Sequence, residues 1–363
     1  MKGKKFKIIS LILVLFLFST IITGCSDKSS SADNLIANKD ANYVIKFKDS
    51  NFQIFIDKIL HKKDGEPILK KEADTITTLS MDVPSLSYDF KCHISNLDDI
   101  KYFTNLKSIS INEDNTLNLS SLSYLKNLKE LSLGRLYTLD ITTLGKIPNL
   151  TKLTLSSYKI KGLTNISKYT KLTTLKIYDV AEKLDLSPLS KLTKLTELVL
   201  YTVQKTPDLT PLSKLTKLTK LDLTSNNLKN ITALSKLKNL STLNLFGNNI
   251  ADLTPLKKLN KLTTLDLSYN NITDLTPLSN LTNLTVLRLD GNTFKDITPL
   301  SKLKKLTSLN LLNHNKLDLT ILKDHKNLTS LYLLADGPIS SSDIDALNSA
   351  LPKCNIKQQW LIG

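Results

Sequence analysis

The side chains that could perform chemistry are few in this 363-residue chain, and their spacing argues against catalysis. None of the histidines, His61, His93, His314 and His325, stands at a metal-ligand spacing from another histidine or a cysteine, and no HExxH occurs. There is no GxSxG, no P-loop and no GxGxxG. Asp222, Asp266 and Asp290 recur along the sequence as a carboxylate row would. If they sit on strands stacked about 4.8 Å apart, Asp222 and Asp266 are roughly 10 Å from each other, too far to share a proton. A solvated acidic face is therefore expected, with no enzyme activity, no metal and no cofactor.

What remains is recognition chemistry. Tyr178, Val199, Tyr201, Phe246, Val286, Arg288, Leu312, Tyr332 and Leu334 each stand next to a leucine or isoleucine of an LxL pair, within the pair or beside it. If the pair points into a core, these neighbours point out of it. Exposed aromatic groups on rigid elements are common anchors of protein interfaces, although strand propensity alone also favours Tyr, Val and Phe. Two patches are expected: Tyr178, Val199 and Tyr201 around Phe246, and a second group from Val286 to Leu334.

The elements that must position them recur. LxL pairs begin at Ile109, Leu131, Leu153, Leu175, Leu198, Leu221, Leu243, Leu265, Leu287, Leu309 and Leu331, spaced by 22 residues or, twice, by 23. Leu79 heads a degenerate twelfth unit out of register. In Asp208–Ile231 the aliphatic residues are separated by gaps of two, three and five, which fit neither a strand nor one helical face. They fit the perimeter of a coil. A pair such as Leu221 and Leu223 forms a short strand. Asn226, Asn248, Asn270 and Asn292 then bond backbone groups at the turn. Pro211, Pro255, Pro277 and Pro299 start a tight helical return, from which Leu212, Leu215 and Leu218 face inward. One coil cannot bury enough to order itself, but a stack can. Tyr158, Val180, Val203 and His314 replace the turn asparagine, and the units from Leu175 and Leu198 carry an extra residue. Irregularity is expected there, with the extra residue bulging on the outer side.

Repeats such as "LSTLNLFGNNIADLTPL" and "LTTLDLSYNNITDLTPL" resemble the leucine-rich repeat family, in the 22-residue variant of internalin-like bacterial surface proteins. The resemblance implies an α/β solenoid, a horseshoe or arc of about 11–12 coils. Its parallel β-sheet lines a concave face that binds another macromolecule, and short helical or 3-10 turns lie on the convex side. The expected divisions are a leader at 1–24, a tether at 25–42, an N-terminal helical cap at 43–78, repeats at 79–335 and a C-terminal cap at 336–363. In the first cap Phe52, Phe55, Ile56, Ile59 and Leu60 fall on one helical face, with Ser50 as the expected N-cap and Gly65 after the end. In the last cap, serines precede a helix that places Ile344, Leu347 and Leu351 on one face.

The first residues have the parts of an export signal: four lysines, an apolar core from Ile8 to Ile22, then small residues. Ile22-Thr23-Gly24-Cys25 resembles a bacterial lipobox, which implies lipidation at Cys25 and a lipoprotein held outside the cytoplasmic membrane. Cys92 and Cys354, at opposite ends of the repeats, are then expected as unpaired thiols, beyond the roughly 7 Å Cα separation a disulfide allows.

Net charge is +16. Without the leader's four lysines, 45 basic residues face 33 acidic ones, a balance of +12. Only Arg135 and Arg288 are arginines, which argues against sequence-specific nucleic-acid binding. Lys191, Lys194, Lys214 and Lys217 fall on the outer return, as a solvated surface or as the contacts of an anionic wall polymer or polysaccharide. The expected partner is a protein, in the host or in the bacterium's own envelope, and the chain is expected to be a monomer. The alternatives are the polymer binder and an envelope spacer without a specific ligand.

Overall fold

The computed structural model describes residues 42–63, 65–82, 94–112, 117–202, 207–312, 317–335 and 340–360. The expected leader, the tether, Cys25, Cys92, His93, Val203 and His314 lie outside the described residues.

Every strand lies parallel to the next, in sequence order. They are β1 (Thr78–Asp82), β2 (Ser108–Asn112), β3 (Glu130–Asp140), β4 (Lys152–Lys161), β5 (Thr174–Tyr178), β6 (Glu197–Tyr201) and β7 (Lys220–Asp222). There follow β8 (Thr242–Asn244), β9 (Thr264–Asp266), β10 (Val286–Arg288), β11 (Ser308–Leu312), β12 (Ser330–Ala335) and β13 (Asn355–Trp360). Register holds leucine beside leucine: Leu221 with Leu243, Leu243 with Leu265, and Leu287 with Leu309. A slip of one residue would turn each pair out to solvent, so burial fixes the alignment. Leu79, whose unit the sequence places out of register, pairs with Ile109 and opens the sheet.

The turn asparagines form a buried ladder. Asn248 Oδ1 accepts from the amides of Asn226 and Leu228, both at 3.0 Å. Its Nδ2 donates to the carbonyls of Leu223 and Leu245 at 2.9 Å. Asn270 and Asn292 repeat the arrangement one coil at a time. One side chain therefore ties its own turn to the previous coil.

Two further ladders were not expected. A hydroxyl just before each strand, at Thr151, Thr173, Thr196, Thr219, Ser241, Thr263, Thr285, Thr307 and Thr329, donates to the equivalent carbonyl one coil back. On the opposite edge Asp185, Asp208, Asp252, Asp274, Asp296 and Asp318 each accept from the amide two residues on, opening the 3-10 return. The hydroxyl of that same Ser or Thr, and then its amide, hold the carboxyls below their ordinary value.

The returns are short 3-10 segments such as Thr210–Lys214, with proline in the first turn and Leu212, Leu215 and Leu218 buried after it. Tyr169 and His325 occupy the return position held by Leu192, Leu215 and Leu237 in other coils, and both are enclosed there. Burial pushes Tyr169 up to about 12, and its hydroxyl donates to the Gly145 carbonyl at 2.7 Å. His325 is fully buried, with Nε2 3.0 Å from the Leu300 carbonyl and Nδ1 3.2 Å from that of Ile321. Burial, the main cause, lowers its pKa.

Both ends are covered. Helix α1 (Ser50–Ile59) buries Phe52 and Ile56, and Phe52 packs on Phe47 and Phe103 with both centroid distances 5.7 Å. Its N-cap is Asp49, not the expected Ser50, which is the first helical residue. A carboxylate serves better because it reaches several donors: Asp49 accepts from Phe52 N at 2.9 Å, Ser95 N at 2.7 Å and Asn96 N at 2.9 Å. Ile59, expected on the buried face, is 37 % exposed at the helix end. After the short helix α2 (Lys70–Ala73) the chain enters the sheet. At the other end α3 (Ser341–Ala350), capped by Ser340, buries Leu347, with Leu351 buried just beyond it. The chain then adds β13 beside β12, a strand the sequence did not announce. Cys354 is a half-buried free thiol.

The irregular coils lie where the asparagine is replaced, but their form differs from expectation. Val180 takes the inward position and is 1 % exposed, while Asp179 adopts a left-handed φ of 63°. The extra residue falls between the strand and the 3-10 return, since the returns beginning at Ser187, Thr210 and Thr232 reach the next strand over equal lengths. It therefore does not bulge on the outer side. At β3 and β4 the strands run on through the missing turn, with a register shift between Leu133 and Leu136.

Candidate functional site: the exposed face of the sheet

Three columns of side chains leave the core side of the sheet, one residue of each per coil. The central column runs Lys176, Val199, Asp222, Asn244, Asp266, Arg288, Asn310, Tyr332 and Lys357. The column at the strand end carries Tyr178, Tyr201, Phe246 and Leu312, all half-buried. Val199, Val286 and Tyr332 are half-buried as well, and Arg288 is exposed. Leu334 pairs with Leu312 in register, but its side chain lies outside the described residues. The other expected residues thus stand on the solvent side of the leucines.

They group differently from the two expected patches. Tyr178 and Tyr201 are adjacent, with centroids 6.3 Å apart. Phe246 does not join them, because one whole coil, that of Thr224, stands between it and Tyr201. Its partner is Tyr269, at 5.1 Å. Sequence reasoning missed Tyr269, which follows the strand in the place where neighbouring coils have glycine. Tyr269 holds a left-handed φ of 55°, and Gly291 leaves room for its ring: a Cβ there would lie 2.8 Å from Tyr269 Cδ1. A third aromatic pair was also missed. Tyr137 and Tyr158 stack at 5.1 Å with planes 14° apart, and are 74 % and 47 % exposed. The missing asparagine at Tyr158 was the available signal, since a ring too large for the turn must go outward.

Beside the aromatic edge lies a charged strip. Glu197, Val199, Lys220, Asp222, Asn244, Asp266 and Arg288 line a shallow depression of about 250 Å³. Lys176 pairs with Glu197 at 3.1 Å, and Arg288 lies 3.7 Å from Asp266. Asp222 accepts from Thr224 N at 2.9 Å and from Asn244 Nδ2 at 3.2 Å. Asp290 does not belong to this solvated row, contrary to expectation. It lies two residues past the central column, where its own coil has Arg288, is 8 % exposed, and accepts from Leu312 N at 3.1 Å. Burial, the dominant influence, raises its pKa. At the C-terminal end Lys357 of β13 lies over the Tyr332 ring, 5.2 Å from its centroid, and its hydrogen bond lowers the phenol pKa.

The arrangement offers rings, charges and hydrogen-bonding groups on a rigid wall. Among the described residues no group of three or more His, Cys, Asp or Glu could hold a metal ion, and no helix is long and apolar enough to cross a membrane.

The family model for leucine-rich repeats (two copies) matches residues 216–258, 238–280 and 260–300. An internalin, InlF of Listeria monocytogenes, is 26 % identical with a TM-score of 0.69, the match covering 87 % of this chain and 96 % of that one. The functional domain of InlJ from the same organism shares the fold at 24 % identity and a TM-score of 0.61, over 86 % of this chain and 69 % of that one. The ectodomain of the Arabidopsis thaliana receptor kinase GASSHO1/SCHENGEN3 is similar in fold alone, at 21 % identity and a TM-score of 0.51, over 73 % and 37 %. No curated protein matches the sequence. The family model thus matches the repeats within residues 216–300, and the chain shares the leucine-rich-repeat fold of an internalin over most of its length.

Proposed function

We propose that the chain is a lipid-anchored, extracytoplasmic binding protein that docks a protein partner on the exposed face of its sheet. The carrying observation is the aromatic edge, Tyr178 with Tyr201 and Phe246 with Tyr269, left half-exposed on a scaffold whose backbone is tied coil to coil. Rings with few rotatable bonds on a fixed sheet lose little entropy on binding and fill pockets well, as interface anchors do. The charged strip beside them supplies orientation and steering. Adhesion or contact within the bacterial envelope fits this surface and the internalin-like architecture. The anchor rests on the lipobox-like Ile22-Thr23-Gly24-Cys25.

The test is capture of partners from envelope and host-cell extracts by wild type and by the Tyr201→Ala/Phe246→Ala/Tyr332→Ala variant. A partner held by wild type through a salt wash and lost by the variant supports the reading. Identical capture by both would indicate a spacer without a specific ligand on this face. Labelled fatty-acid incorporation that persists in Cys25→Ser would refute the anchor.

A further inference from the structure

The outer returns carry a second surface of opposite chemistry. Eight consecutive returns, from Thr142–Leu150 to Thr298–Thr307, hold fifteen lysines, against six aspartates, Asp140, Asp185, Asp208, Asp252, Asp274 and Asp296, that open them. Lys146, Lys168, Lys191, Lys214, Lys236, Lys258 and Lys302 occupy one position coil after coil, with Asn280 as the single interruption, and all seven are exposed. Three residues further on, Lys171, Lys194, Lys217, Lys261 and Lys305 form a second exposed column.

This track is partly ordered in advance. The ammonium of Lys171 is held by Asn149 Oδ1 at 2.8 Å, and those of Lys261 and Lys305 by Asn239 and Asn283 at 2.7 Å, each from the preceding coil. The same three asparagines donate through Nδ2 to carbonyls one coil further back, so they cannot swing freely. Burial, and then the neighbouring Lys258 and Lys236, hold the Lys238 ammonium below its ordinary value. Lys304 reaches Asp324 of the following return at 4.0 Å, but the lysines outnumber the carboxylates along these returns, so the surface is net positive.

We propose that this lysine track binds a linear phosphodiester polymer of the glycerol-phosphate kind, laid along the coils. One or more ammonium groups at nearly every coil match a ligand whose monovalent anionic groups also repeat along a line. Lysine offers a point charge and no arginine fork reads a planar group, so recognition is of repeated charge and not of sequence. The site lies on the face opposite the aromatic edge and does not depend on it.

The experiment measures binding of the full chain to soluble poly(glycerol phosphate) long enough to span eight coils, across a salt series. Parallel arms use glycerol phosphate monomer and phosphatidylglycerol vesicles. The test variant is Lys171→Gln/Lys194→Gln/Lys217→Gln/Lys261→Gln. The control, Lys152→Gln/Lys176→Gln/Lys220→Gln/Lys357→Gln, removes the same charge from the sheet side. On a flexible polyanion each neutralised phosphate contributes about 0.7 to the slope of log K against log salt. Loss of four contacts therefore lowers the slope by about 3 and weakens low-salt binding at least tenfold. The control and the aromatic triple variant should bind the polymer as wild type does, and the monomer should bind too weakly to measure. Equal weakening in the control, binding to vesicles without binding to the soluble polymer, or no polymer binding would each overturn the proposal.

Discussion

Asn248→Ala tests the physical basis of the stack. The substitution removes the acceptor shared by the buried amides of Asn226 and Leu228 and the donor to the Leu223 carbonyl. The Leu245 carbonyl keeps a second partner in Asn270. Two buried N–H groups that lose their acceptor cost about 1–3 kcal/mol each, so the expected loss is about 2–6 kcal/mol. Because coils couple mainly to their neighbours, the damage should centre on the units from Leu221 and Leu243. The control is Asn249→Ala, an exposed neighbour expected to stay within about 0.5 kcal/mol of wild type. Urea unfolding gives the global change, and amide hydrogen exchange at Asn226 and Leu228 gives the local one. A loss below about 1 kcal/mol, or exchange at those amides no faster than in the control, would refute the ladder as a stabilising device.

Two other outcomes follow from the titrating groups. Asp252, Asp274 and Asp296 have folded pKa values below their unfolded ones, so their stabilisation is complete above about pH 4 and is lost as pH falls through the lower folded values. The Asp252→Asn/Asp274→Asn/Asp296→Asn variant, using the residue that already caps at Asn230, should lose less stability than wild type between pH 5 and pH 2 in thermal melts. A parallel loss in both proteins would contradict this assignment. For His325 the depressed pKa means that stability is complete above about pH 6.5 and erodes as the unfolded chain gains its proton. His325→Phe, mimicking buried Phe103 at the equivalent position, should remain folded and flatten the stability profile between pH 6.5 and pH 5. An unchanged slope would remove His325 from the account.

What the sequence determined is whatever depends on periodicity. Leucine columns such as Leu221, Leu243 and Leu265 recur at one coil length, so core, strand direction and register were readable before any coordinates. So was the outward placement of Tyr178, Tyr201 and Phe246, because side chains alternate along a strand. The turn asparagines were readable too, since a buried amide there has backbone groups to satisfy. What only the tertiary structure decided depends on neighbours one coil away. The hydroxyl ladder needs the carbonyl of the previous coil, and Asp49 wins the N-cap through Ser95 and Asn96, distant in sequence. Asp290 left the solvated row because it stands two residues past Arg288, where Ser268, Asn310 and the Leu312 amide on the adjacent coils enclose its carboxylate. Tyr269 joined Phe246 because Gly291 on the adjacent coil clears space for its ring. Periodicity fixes which face a residue takes, but contact across coils requires both positions in space.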